Sequence, residues 1–229
     1  LNNAFVITDI VLYAPPLKLN FSELKDDFSS FKRAEFTRQP NRLPEILFIT
    51  TFPPRECGIA TYSQDLVTVL EKKFGHSFKC TLCALESETE HPVYSQHPEY
   101  ILNTDERNSF IKTAFAINKD RNTAAVVIQH EFGFFAKHDQ DFKIFYESLE
   151  KPLVFVFHTV LPLPDLDLKV KVRHMSEAAI AVIVMTRNAS EILMNVYGIH
   201  PDKISVIPHG THLVPNLAKD ELKKKYQLT

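Results

Sequence analysis

Glu45-Ile46-Leu47-Phe48-Ile49-Thr50-Thr51-Phe52-Pro53-Pro54-Arg55-Glu56-Cys57-Gly58-Ile59-Ala60-Thr61-Tyr62-Ser63-Gln64 is the stretch on which the reading of the fold turns. Its first part is a short β-prone run with no polar alternation, the pattern of a strand covered on both faces. A stiff double-proline turn follows, then a glycine. Thr61-Tyr62-Ser63-Gln64 has the spacing of a capping box, so a helix is expected to start there, with Tyr62, Leu66, Val69, Leu70 and Phe74 on one stripe and Gly75 at its end. A buried strand leading through a tight turn into an amphipathic helix is the opening unit of an open parallel α/β sheet.

The rest of the chain keeps that rhythm. Further apolar runs at 78–85, 124–129, 153–157, 180–185 and 204–207 alternate with helical patterns. A helix over 104–118 is expected to bury Phe110, Ile111, Ala114 and Phe115. Another over 168–179 is capped by Asp165 or Asp167, and Ile192, Leu193, Val196 and Tyr197 form a stripe closed by Gly198 with Pro201 beyond. The expected fold class is α/β, a Rossmann-like doubly wound parallel sheet. Residues 1–43 break the rhythm and read as an appendage or linker.

Composition narrows the function classes. The 229 residues are 45% hydrophobic and 24% charged, enough for a sizeable core, and the formal net charge of −2 provides no basic field for a nucleic-acid backbone. No apolar stretch approaches the roughly 20 residues that span a bilayer, and the first residues lack a signal peptide's basic region, so a cytoplasmic protein is expected, with association with the inner face of a membrane left open. Of the three cysteines, Cys80 and Cys83 form a C-x-x-C. Residues three apart on a strand point to opposite faces, so packing is expected of this pair in place of metal or redox chemistry.

In a parallel sheet, ligands collect beyond the carboxyl ends of the strands. There the chain places Arg55, Glu56 and Gly58, then Gln129-His130-Glu131-Phe132-Gly133, then Phe157-His158-Thr159, then Pro208-His209-Gly210. Backbone N–H groups at a helix start attract anionic oxygens, and Gly58 lets a ligand approach; a tight strand-to-helix turn alone would also use a glycine. Arg55 and Glu56 either pair with each other or point together at a hydroxyl-rich ligand. His130 and Glu131 beside phenylalanines suit a carbohydrate surface, or else the rings are core and His130 is an edge residue. Three histidines at three strand ends favour a ligand site.

These motifs, in this order, resemble the N-terminal half of the retaining GT4 (group 1) glycosyltransferases with the GT-B fold, over residue 45 to the C-terminus. The resemblance implies a two-domain hexosyltransferase that uses a nucleotide-diphosphate sugar and no metal. It assigns residues 44–217 to the acceptor-side domain and 218–229 to the start of a donor-binding half. Carried over by position, Gly58 and His158 face the donor, His158 beside the reacting carbon as the catalytic candidate. Pro208, His209 and Gly210 lead to the hinge. Arg55, Glu56, His130 and Glu131 match no assigned role of the family and are read, with Tyr62, as acceptor-side residues. The expected partners are the nucleotide-sugar and a carbohydrate or lipid-linked acceptor. The chain begins at Leu1 and stops at Thr229, just past the charged stretch 219–226, so a fragment without turnover of its own is expected. Two other functions fit the same fold, a non-catalytic binding module and half of a nucleotide-sugar epimerase. Loops over 86–100 and 131–140 are expected to shape the acceptor's surroundings.

Overall fold

The computed structural model describes residues 42–89, 92–95, 97–210 and residue 223. The appendage read over 1–43, apart from its last two residues, and the helical stretch read over 219–226, apart from residue 223, lie outside the described residues.

Seven strands run parallel in one sheet: β1 (Glu45–Thr50), β2 (Lys79–Glu86), β3 (Tyr100–Asn103), β4 (Thr123–His130), β5 (Leu153–Phe157), β6 (Ala181–Val184) and β7 (Ile204–Val206). Their spatial order is β3-β2-β1-β4-β5-β6-β7, so the chain winds outward from β1 in one direction, then returns and winds in the other. The reversal lies between β1 and β4, and at such a switch point neighbouring loops diverge and leave a crevice. Five of the six connections deliver helices: α1 (Gly58–Phe74), α2 (Arg107–Lys119), the single turn α3 (Phe132–Phe135), α4 (Asp139–Ser148), α5 (Leu166–Ala178) and α6 (Arg187–Asn195).

The run of apolar residues in each strand has its explanation in two cores. Leu47, Ile49, Val126, Ile128, Phe155 and Phe157 pack on one face with Phe110, Phe142, Met175 and Leu193 from the helices. Ile46, Phe48, Val127, Val154 and Val156 pack on the other, against Val67 and Leu70 of α1. Cys83 belongs to the first core and Cys80 to the second, so the C-x-x-C is split across the sheet. Burial pushes the Cys80 thiol up to about 12 and that of Cys83 further in the same direction.

Several helix expectations shift. α1 begins at Gly58, three residues before the expected start, because Cys57 is extended and its Sγ accepts the Ala60 N–H at 3.3 Å; Thr61 is inside the helix and its hydroxyl donates back to the Cys57 carbonyl. The buried face of α1 is Ala60, Ser63, Val67 and Leu70, leaving Val69 exposed. In α2, Phe110 and Ala114 are buried with Thr113 and Ile117, whereas Ile111 and Phe115 are 57% and 60% exposed, Phe115 lying under the Lys119 ammonium. Both errors come from taking an i, i+1 apolar pair as one stripe, although neighbours on a helix differ by about 100°. Asp165 caps α5, its carboxylate accepting the Leu168 N–H at 2.8 Å. Gly198 takes φ +71°, and a Cβ there would meet the Arg173 guanidinium, so the glycine that closes the α6 stripe is required by its backbone.

β3, α3 and α4 have no counterpart among the sequence expectations. β3 is a four-residue edge strand with one fully buried residue, too short to show a period. The expected loop 131–140 is a helical turn, a 3-10 turn over Ala136–His138 and the start of α4. Among the described residues, no helix is long and apolar enough to cross a membrane.

Candidate functional site

The carboxyl ends of β1, β4 and β5 bring the expected residues to one edge. From β1, Thr50 and Thr51 are fully buried: the Thr50 hydroxyl lies 2.6 Å from that of Ser63, tying the strand to α1, and the Thr51 hydroxyl lies 3.2 Å from Cys57 Sγ. The Pro53-Pro54 peptide is cis, and the Arg55 N–H closes the turn onto the Phe52 carbonyl. Gly58 opens α1 facing free space, since a Cβ built on it would touch nothing within 4 Å. No acidic side chain occupies the first turn of that 17-residue helix, and Cys57 takes only the Ala60 and Thr61 N–H groups, so the helix dipole and the Gly58 N–H suit an anion.

Strand parity then decides which face each later residue takes. Val154, Val156 and His158 alternate to the α1 side, and so do Val127 and Gln129. His158 Nε2 lies 2.7 Å from Gln129 Oε1, and the His158 ring stands edge-on to Tyr62 of α1 at 5.2 Å. His209, beyond β7, stands edge-on to the same tyrosine at 4.7 Å and 6.4 Å from His158. Tyr62 thus sits between two imidazoles. Burial raises its hydroxyl pKa, so it stays a neutral donor and acceptor. Burial also pushes His158 down to about 4, with the neighbouring His209 as a second cause, so His158 is a neutral imidazole at physiological pH.

His130 lies elsewhere. It follows Val126 and Ile128 in parity, so its ring enters the first core, 2% exposed, ringed by Phe132, Phe135, Phe142, Phe155 and Phe157 at 4.9–6.0 Å. Buried there, it cannot touch an acceptor, and its expected binding role gives way to packing. The alternation Val126, Ile128, His130 was the signal in the sequence that could have located it. Glu131 caps α3 through the Phe132 N–H and takes the Thr159 hydroxyl at 2.5 Å, so both carboxylate oxygens serve to hold the β4 and β5 loops together.

Burial pushes the His130 imidazole down to about 3, and the positive Lys171 acts in the same direction. Among the described residues its Nδ1 has no hydrogen-bond partner. The unfolded chain would bind a proton near pH 6.5 that the fold refuses, so this group's contribution is complete above 6.5 and is lost as pH falls toward 3. The slope is about 1.4 kcal/mol per pH unit within that window. His130→Leu is expected to flatten the acid side of the urea-midpoint profile between pH 6.5 and 4, and parallel profiles for the two proteins would refute it.

On the other side of the β1 loop, Pro54, Arg55, Glu56 and Cys57 face Leu85, Glu86 and Tyr94 across a cleft of about 510 Å³. The Arg55 guanidinium lies 5.6 Å above the Phe134 ring. Glu86 was not among the expected site residues, although it follows an apolar strand by the same rule that selected the others. It is nearly buried at the end of β2. Pro208, His209 and Gly210 are exposed at the same edge. Among the described residues, no group of three or more His, Cys, Asp or Glu is placed to hold a metal ion.

This arrangement is that of a sugar-transferring enzyme's Rossmann-like half, and residues 58–214, well over half of the chain, match the model of Glycosyltransferase Family 4. The chain belongs to Glycosyltransferase Family 4. Among solved structures it is similar to Anabaena Alr3699/HepE in complex with UDP and glucose, at 13% identity and TM-score 0.54, over 80% of this chain and 49% of that one. It is also similar to a Listeria monocytogenes protein assigned as a UDP-N-acetylglucosamine 2-epimerase, at 16% identity and TM-score 0.50, over 72% of this chain and 44% of that one. At these identities the likeness is one of fold, and the chain spans about half the length of these structures or less. No curated protein matches the chain.

Proposed function

We propose that this domain is the acceptor-side half of a retaining glycosyltransferase that moves a sugar from a nucleotide diphosphate to a hydroxyl acceptor. The observation that carries this reading is the meeting of an open, glycine-started helix N-terminus with a neutral His158 and Tyr62 beside the strand-order switch. The Gly58 N–H faces the diphosphate, a charge suited to the positive end of a helix dipole with no acidic side chain in its first turn. His158 lies against the transferred sugar, and the Arg55, Glu56 and Glu86 cleft receives the acceptor, whose hydroxyls need both donors and acceptors. Pro208, His209 and Gly210 lead toward a second α/β half that completes the donor site, so turnover requires both halves.

Transfer assays with the whole protein and a panel of nucleotide-sugars test this directly. Labelled sugar is expected to appear on an added hydroxyl acceptor with its anomeric configuration kept, and this chain alone is expected to give no turnover. Isomerisation of the nucleotide-sugar without any acceptor would replace transfer by epimerisation.

A further inference from the structure

Gln129 has no role in the reading so far, yet it is 0% exposed at the last position but one of β4, paired in register with Val156, two residues before His158. A carbonyl oxygen only accepts hydrogen bonds, so the 2.7 Å contact from Gln129 Oε1 requires a proton on His158 Nε2. A neutral ring protonated there has a bare Nδ1. Among the described residues that nitrogen has no hydrogen-bond partner, and unlike Nδ1 of His130 it is not sealed from solvent.

We propose that Gln129 is a positioning residue that holds His158 as the Nε2–H tautomer, so that Nδ1 offers its lone pair to a hydroxyl of the transferred sugar. The sugar contact rests on the donor-side reading of His158; the tautomer does not. The amide is oriented at a cost, because Gln129 Nε2 is left buried without a partner among the described residues, a loss of about 1–3 kcal/mol. Turning the amide over would aim its N–H at the imidazole and force the proton onto Nδ1. Amide orientation and tautomer are therefore one binary choice with a consequence for the ligand. A bare Nδ1 takes a hydroxyl donor and repels a carboxylate, so neutral hexose donors are preferred over uronate donors; an Nδ1–H ring would invert that preference.

Long-range 1H–15N correlation spectra of the 15N-labelled chain at neutral pH read the tautomer. His158 is expected to show a protonated Nε2 and a bare Nδ1 in the unmodified protein, which needs no variant to fold. Gln129→Leu is expected to give a mixture of tautomers and Gln129→Glu, which keeps the acceptor, to retain a protonated Nε2. An Nδ1–H ring, or a Leu variant with the unmodified single tautomer, overturns the positioning. Titration of the whole protein with UDP-glucose and UDP-glucuronate as probes reads the ligand preference, expected to favour UDP-glucose by about tenfold or more, about 1.4 kcal/mol. Absence of any His158 response to UDP-glucose, with the tautomer as expected, overturns the sugar contact and the donor-side reading with it. An Nδ1–H ring with ordinary UDP-glucose binding overturns the positioning alone.

Discussion

Replacing His158 by Ala is expected to lower sugar-transfer turnover of the whole protein about 100-fold, the scale of losing one preorganised polar contact to a reacting group. The fold should survive, because the His158 backbone N–H keeps its bond to the His130 carbonyl and the site belongs to a half-buried side chain at the end of a strand. The stability loss is confined to the Gln129 contact and the Tyr62 edge, about 1 kcal/mol for a neutral hydrogen bond. The measurement is kcat and KM for transfer beside a circular dichroism spectrum. A fall in kcat with a native spectrum ties His158 to the reacting sugar. Equal turnover in the two proteins would leave it a packing residue between Gln129 and Tyr62.

Phe142→Ala is expected to destabilise the fold by about 3–5 kcal/mol, the range for deleting a fully buried aromatic. Phe142 stacks face to face on Phe135 at 3.7 Å and meets His130, Tyr146 and Phe155 at 5.2–6.3 Å. Such rings interlock, so the space left behind closes poorly. Against a typical domain stability of about 5–15 kcal/mol this is a large fraction, read as a drop in the urea midpoint. A midpoint within error of the unmodified protein would mean that the aromatic cluster is looser than its geometry.

The two variants separate the layers of the molecule. His158 lies on the α1 side of the sheet and Phe142 on the other, so the first should change chemistry with little change in stability and the second the reverse.

Much of the fold was legible in the residues because the strands announce themselves. Six of the seven sit within two residues of their expected apolar runs, and the non-alternating pattern of Leu47, Phe48 and Ile49 required helices on both faces. The rule that ligands gather at carboxyl ends led to Gly58 and His158 before any contact was known. The helix faces were less legible, since Ile111 and Phe115 are as apolar as Phe110 and the sequence has no mark for which of two adjacent positions faces the sheet. α4 was hidden because a phenylalanine-rich segment reads equally as loop or core.

By itself, then, the sequence determined a parallel α/β sheet, the split of Cys80 from Cys83 and the presence of polar residues at the strand ends, since all three follow from local period and strand parity. The tertiary structure alone decided that His130 belongs to the core while His158 meets Gln129 and Tyr62 at the edge. It also decided that Glu86, 30 residues from Glu56, lines the same cleft. Those outcomes depend on strand order and register, which bring distant segments together, and neighbouring residues along the chain do not encode them.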